Sequence, residues 1–147
     1  MLYARHESRY FIDACTYAVK FLLYGENEVK LSRLVEILDA TVLTGEEQLN
    51  IEVKTAFSAD LMSDVLAFAK PKSLILTGLT NPQVVRTASI LDSAAIVIVR
   101  GKIPPVETVG LAKELNIPII STKYILFETS GRLYMNGMVG CVEKIGG

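Results

Sequence analysis

Apolar positions in the second half of the chain fall into three short unbroken runs. Each run is followed by a segment in which apolar residues recur every three or four positions. The runs are Leu74-Ile75-Leu76-Thr77-Gly78, Ala95-Ile96-Val97-Ile98-Val99 and Ile117-Pro118-Ile119-Ile120. A short unbroken run rich in β-branched residues is the pattern of a strand covered on both faces. The segments after them predict helices over residues 83–92, 106–116 and 124–135. Val84, Val85, Ala88 and Leu91 make one stripe, Thr108, Leu111, Ala112 and Leu115 a second, and Leu126, Ser130, Leu133 and Tyr134 a third. The three units begin at Leu74, Ala95 and Ile117, 21 and 22 residues apart. Strands joined by helices of this length pair in parallel through right-handed crossovers. The predicted fold class is therefore α/β, a mainly parallel sheet built from repeated strand–helix units and flanked by helices.

The first half of the chain reads differently. Over residues 8–24, Tyr10, Ala14, Tyr17, Ala18 and Phe21 recur at helical spacing, and Phe11, Ile12, Cys15, Val19, Leu22 and Leu23 fill much of the remaining circumference. A helix apolar nearly all round requires burial on more than one side. That burial comes either from the rest of the chain or from a second copy or partner. Asp13 and Lys20 interrupt the segment, which is shorter than the roughly 20 residues a bilayer demands, and no small-residue cleavage site follows it. No membrane span is expected from it. Residues 29–40 predict a second helix, with Leu31, Leu34, Val35 and Leu38 on one face and Arg33, Glu36 and Asp39 toward water. Thr41-Val42-Leu43 predicts a strand and Thr44-Gly45-Glu46-Glu47 a turn. Ile51, Val53, Thr55 and Phe57 alternate with Glu52, Lys54 and Ala56, the period of a half-exposed strand near a sheet edge. Ser58-Ala59-Asp60 is placed to cap a helix over residues 61–69, in which Ser63 and Asp64 are the polar strip. Two parts follow: an N-terminal helical extension over residues 1–28 and an α/β domain over residues 29–147.

Composition narrows the class. The chain has 147 residues, half of them hydrophobic and 21% charged, with a formal net charge of −1. That is enough chain for one hydrophobic core, and the charge balance lacks the basic stripe of a nucleic-acid binder. Cys15 and Cys141 stand far apart, with neither CxxC nor Cys/His spacing. They read as ordinary thiols of a cytoplasmic protein, with no metal site and no cofactor expected. The single histidine, His6, leaves no Ser/His/Asp or Cys/His set to assemble. Neither GxxxxGK[ST] nor GxGxxG is present. The expectation is a protein that is not an enzyme; the alternative is a small enzyme of unknown reaction, for which Asp64, Glu128 and Lys123 are the candidate bases.

In parallel sheets, ligands gather at the carboxyl ends of the strands. Here those ends carry Thr77, Gly78, Thr80 and Asn81 after the first run, Arg100, Gly101 and Lys102 after the second, and Ser121, Thr122 and Lys123 after the third. Hydroxyls, helix N-termini and three cations suit an anion such as phosphate. The same glycines, threonines and asparagine are also what tight strand-to-helix turns require. Both readings stand at this point.

The segment from about residue 29 to residue 138 resembles the DRTGG domain. The residues that carry the likeness are Val42-Leu43-Thr44-Gly45-Glu46-Glu47, Leu61-Met62-Ser63-Asp64-Val65-Leu66, the stretch 95–101, and Ala112-Lys113-Glu114-Leu115-Asn116-Ile117-Pro118-Ile119-Ile120-Ser121-Thr122. Gly131-Arg132-Leu133-Tyr134 fits as well. This module occurs in the regulatory regions of long phosphotransacetylases and of CBS-domain pyrophosphatases, and as small stand-alone proteins. It is similar to the N-terminal domain of HPr kinase/phosphatase. The eponymous residues belong on the first two strand-to-helix turns. Here Thr80-Asn81 stands for the Asp-Arg pair and Val99-Arg100-Gly101 for the Thr-Gly-Gly, with one glycine kept. The resemblance implies a non-catalytic regulatory or protein-interaction module, often a dimer, that senses a ligand or holds proteins together. It makes residues 1–28 an addition to the family core. A homodimer is expected, with Tyr10, Ala14, Tyr17 and Phe21 or Leu61, Val65 and Phe68 at its interface. A partner protein and a phosphate-containing small ligand, such as an adenine nucleotide, are the other partners considered.

Overall fold

The computed structural model describes residues 28–146 and, before them, Cys15, Thr16 and Val19. Of the expected N-terminal helix, Tyr10, Ala14, Tyr17 and Phe21 lie outside the described residues, and Cys15, Thr16 and Val19 are helical and exposed. From residue 29 the order is β1 (Val29–Lys30), α1 (Leu31–Ile37), β2 (Thr41–Thr44), a 3-10 turn (Glu46–Gln48), β3 (Glu52–Val53), β4 (Thr55–Ser58) and α2 (Met62–Phe68). There follow β5 (Leu74–Thr77), α3 (Pro82–Ile90), β6 (Ala95–Ile98), α4 (Val106–Glu114), β7 (Ile119–Ser121), α5 (Leu126–Met135) and β8 (Val139–Gly140). The three predicted strand–helix units are all present.

Six strands form the main sheet in the order β2-β7-β6-β5-β4-β8, and β1 with β3 makes a separate two-stranded ribbon. The pairs from β8 through β7 are parallel, with Leu74 opposite Ala95 and Ile96 opposite Ile119. β2 closes the far edge antiparallel to β7. The fold class is as expected, with one antiparallel strand added.

Alternate residues of each central strand enter opposite cores, as a period of two requires. Leu74, Leu76, Ala95, Val97 and Ile120 pack with Leu31, Leu34 and Leu38 of α1 and Leu133 of α5. Ile75, Ile96, Ile98 and Ile119 pack with Val65 of α2, Val84, Val85 and Ala88 of α3 and Ala112 of α4. Burial of one large aliphatic side chain is worth about 1.5–3 kcal/mol, so the two layers supply the main driving force.

The alternating segment 51–57 is not one strand. It breaks at Lys54, so that Val53 pairs with Val29 in the ribbon while Thr55 begins β4 in the main sheet. The start of β4 is pinned by a hydrogen bond between the Thr55 and Ser73 hydroxyls at 2.9 Å. β4 is one place in from the edge, because β8 covers its outer side.

Four helices end alike. The N–H groups of Ala40, Ser93, Ile117 and Met138 donate to the carbonyls of Val35, Ala88, Ala112 and Leu133, at 2.9, 2.9, 2.9 and 3.1 Å. The residue before each donor is in the left-handed region: Asp39, Asp92, Asn116 and Gly137, at φ 46, 53, 54 and 112°. This is the six-to-one closure that satisfies the last helical carbonyls. Each closure leads directly into the next strand. Asp and Asn substitute for the usual glycine because their short polar side chains tolerate that conformation.

The Thr44-Gly45 step fixes the antiparallel edge. The buried Thr44 hydroxyl donates to the Ile117 carbonyl at 2.8 Å and accepts from the Ile119 N–H at 3.1 Å, where the β2–β7 register shifts. Gly45 sits at φ 86°, and a Cβ there would lie 2.8 Å from the Pro118 backbone. Left-handed strain and overpacking then act together. Gly45→Ala is expected to cost about 2–4 kcal/mol of unfolding free energy, read as a lower urea midpoint at unchanged slope.

Candidate functional site

Parallel pairing brings the ends of β4, β5, β6 and β7 to one pole, and polar contacts knit the turns there into a single platform. Its centre is Gly78, which is buried. The Asp60 carboxylate, at the end of the neighbouring β4 turn, accepts the Gly78 N–H at 2.7 Å and the Thr77 hydroxyl at 3.1 Å. Lys102 Nζ donates to the Gly78 carbonyl at 2.9 Å. The Arg100 guanidinium lies against the open side of Gly78, in space that a Cβ would occupy. The absence of a side chain at residue 78 is therefore what lets Arg100 reach across from the β6 turn.

Arg100 and Gly101 are both left-handed, at φ 66 and 64°. Their N–H groups donate to the carbonyls of Tyr124 at 2.8 Å and Thr122 at 2.9 Å, which fastens the β6 turn to the β7 turn. Tyr124 is in turn held from α5. The Arg132 guanidinium stacks 3.8 Å over its ring centroid and donates to Glu128 at 3.0 Å. Burial lowers the Arg132 pKa. The Thr108 hydroxyl of α4 donates to the Thr80 carbonyl at 2.7 Å, tying the β5 turn to α4.

The expected ligand-binding residues divide into two groups. Thr77, Gly78, Thr80, Asn81, Arg100, Gly101, Ser121, Thr122 and Lys123 all lie on this pole, but several are braces. Thr122 is buried; its hydroxyl donates to the Leu38 carbonyl at 2.7 Å and accepts the Tyr124 N–H at 3.3 Å. The Ser121 hydroxyl donates to the Lys102 carbonyl at 3.2 Å. The Thr77 hydroxyl is committed to Asp60 and to the Leu79 N–H. Asn81 stands at the N-cap of α3 in an extended conformation, with Pro82 opening the helix. Exposed on the platform are Arg100, Lys102 and Lys123, and among the described residues neither Arg100 nor Lys123 forms an ion pair.

Three expectations need correction. Asp60 does not cap α2: the N-cap is Leu61, with no side-chain bond, and the carboxylate reaches the end of β5 instead. Val65 is fully buried in the chain's own core, so it is closed to a second copy, whereas Leu61 is exposed and Phe68 half-buried. Tyr134 faces solvent, and Thr129 with Leu133 forms the buried side of α5. Asp60, Tyr124 and Arg132 are the site residues that sequence reasoning missed. The only signal for Asp60 was its place one turn before a helix, which a cap explains equally well.

Cavities among the described residues lie away from the platform centre, one of about 370 Å³ beside Thr55, Pro71 and Cys141. One of about 300 Å³ lies at the opposite pole, lined by Asp92, Ser93, Asn116, Gln48 and Glu52 among others. Another of about 280 Å³ lies between β4 and α5, lined by Phe57, Ser58, Ser130, Leu133 and Met138 among others. Among the described residues, no group of three or more His, Cys, Asp or Glu is placed to hold a metal ion, and no helix is long and apolar enough to cross a membrane.

The DRTGG domain model matches residues 33–135. The chain belongs to the DRTGG domain family. A solved structure similar in fold is that of the CBS and DRTGG domains of the regulatory region of Clostridium perfringens pyrophosphatase, complexed with the activator diadenosine tetraphosphate. It superposes with a TM-score of 0.61 at 20% identity, covering 74% of this chain. The chain spans 46% of that structure's length. No curated protein matches the chain. Thr80-Asn81 and Val99-Arg100-Gly101, the segments expected to stand for the family's motif, occupy adjacent turns of one platform, with Lys102 and Thr108 reaching from the second turn and α4 to the first.

Removing the Thr122 hydroxyl takes away the partner of the buried Leu38 carbonyl and of the half-buried Tyr124 N–H. Thr122→Val is expected to cost about 1–3 kcal/mol in urea unfolding.

Proposed function

We propose that this DRTGG domain is a non-catalytic regulatory module that senses a phosphate-bearing small ligand at the platform and acts as a homodimer. The observation that carries the ligand reading is the placement of the Arg100 guanidinium across Gly78. It is exposed and, among the described residues, in no ion pair, beside Lys102 and Lys123 on the same and the adjoining turn. Cations fixed at the carboxyl ends of parallel strands are an anion's usual surroundings. The pyrophosphatase regulatory region supports it, because a nucleotide with a polyphosphate chain is bound there. The acids near the platform support a role without chemistry: Asp60 is committed to Gly78 and Thr77, and Glu128 to Arg132.

Thermal unfolding with ATP, diadenosine tetraphosphate, acetyl phosphate and pyrophosphate tests this reading. A specific ligand at a hundred times its Kd adds about 2.7 kcal/mol of stability. Arg100→Ala is expected to abolish the shift. Gly78→Ala, whose new methyl meets only the flexible end of Arg100, is expected to weaken binding while costing less than about 1 kcal/mol of stability. A panel in which no phosphate compound shifts the wild type rules the ligand reading out.

The dimer reading rests on exposed apolar side chains at the starts of α2, α4 and α5 and on the β6 turn, all at the same pole. Leu61, Ile103, Val106, Ile125 and Phe127 are 60, 85, 88, 60 and 85% exposed. A patch of this kind marks a contact surface, and a two-fold contact is the commonest way to cover one. Sedimentation at micromolar concentration is expected to show twice the chain mass, and Ile103→Asp with Phe127→Asp to return it to one chain. A wild type that sediments as one chain overturns the reading.

A further inference from the structure

We infer that the Asp60 carboxylate is a built-in anion at the platform, and that a phosphate-bearing ligand displaces it and thereby releases α2. The inference rests on the ligand reading above and adds the means by which binding is transmitted. An anion is already seated on this donor set, and it is the chain's own. Asp60 takes the Gly78 N–H at 2.7 Å and the Thr77 hydroxyl at 3.1 Å, a pair of donors pointing from the end of a buried strand. The Thr77 side chain is fully buried, so without Asp60 its hydroxyl would need another acceptor there. Arg100 lies against Gly78, yet forms no ion pair with Asp60 or any other described acid. The donor set thus holds one negative group while its nearest guanidinium is still open to a second.

A phosphate oxygen meeting Arg100 would compete for the same Gly78 and Thr77 donors. Two anions cannot share them without strong like-charge repulsion. Asp60 is the weaker contender, because it sits on an exposed segment rather than on the sheet. That segment leads directly into α2, and α2 is lightly held. It has seven residues, of which Val65 alone is fully buried, and it lacks a side-chain cap at its start. Leu61 and Leu66 are exposed. The bond from the Ala59 N–H to the Leu76 carbonyl at 3.0 Å would remain as the pivot. Elements that move on binding are drawn from such low-stability parts of a fold. Ligand arrival would therefore be read out as movement of α2, next to the apolar patch that includes Leu61.

The test uses the full chain, Asp60→Ala and Asp60→Asn, titrated calorimetrically with ATP and with inorganic pyrophosphate. Hydrogen exchange is followed over residues 61–69. If Asp60 occupies the donors most of the time, its removal raises apparent affinity in proportion, about tenfold for nine-tenths occupancy. Asp60→Ala is expected to show the full gain. Asp60→Asn, which keeps an acceptor but no charge, should show a smaller one and serves as the folded control. Ligand is expected to speed exchange over residues 61–69 in the wild type, and both variants should exchange fast there without ligand. ATP and pyrophosphate binding alike would assign recognition to the phosphates, and ATP alone to the whole nucleotide, with the Asp60 gain required in either case. Binding that is lost in Arg100→Ala but unchanged by either Asp60 substitution overturns the displacement and leaves the ligand reading intact. Slower exchange over residues 61–69 on binding overturns it too. No binding by the wild type or either variant overturns both.

Discussion

Parallel pairing from β4 to β7 puts four strand ends at one pole, and the rest of the structure answers that constraint. Each ladder ends there at the edge of a layer covered on both faces, where an unpaired peptide group would be costly. The chain closes these ends with backbone bonds between neighbouring turns, such as Val99 N–H to the Thr77 carbonyl and Thr122 N–H to the Ile98 carbonyl, and with its own side chains. Asp60 closes the end of β5, Thr122 braces the turn after β7, and Thr108 reaches from α4 to the turn after β5. What looks like a binding site is first a solution to the problem of ending a buried sheet. Arg100 and Lys123 are the parts of it that this structural task leaves over.

The architecture was largely legible in the amino-acid pattern because it depends on burial, which leaves a periodic trace. Runs such as Ala95-Ile96-Val97-Ile98 have no polar member to face water, and each proved buried on both sides. Where the trace failed, two different structures share one period. Ile51, Val53, Thr55 and Phe57 alternate without a break, but Val53 belongs to the ribbon and Thr55 to the main sheet. Nothing in a period of two marks a change of partner. The helix ends were hidden for a related reason. Asp39, Asp92 and Asn116 do the work of glycine at a left-handed position, and their polarity reads equally well as ordinary exposure.

The site was legible only as a location. Gly78 and Arg100 could be placed at neighbouring turns from spacing alone, but not the fact that the empty side of Gly78 admits the Arg100 side chain. Asp60 was assigned to the helix it precedes, whereas its bonds cross to the strand beside it. Contacts between adjacent turns have no sequence period, because they join residues 18 or 24 positions apart. The same holds for Arg132, which steadies Tyr124 from a helix that follows in the chain.

The platform is thus held by different kinds of contact on its two sides. Toward α5 the turns are bound by backbone bonds from Arg100 and Gly101 and by the half-buried Arg132–Tyr124 stack, a contact of the kind worth about 1 kcal/mol. Toward α2 the side-chain tie is one carboxylate oxygen of the exposed Asp60, beside the backbone bond from the Ala59 N–H to the Leu76 carbonyl. A module that only had to hold its sheet together would gain by closing both sides alike, and a neutral acceptor at residue 60 would do so without placing a charge beside open cations. Under the proposed displacement, a carboxylate there would make the closure sensitive to another anion that Arg100 attracts. That asymmetry, more than the count of cations, is what the sensing proposal rests on.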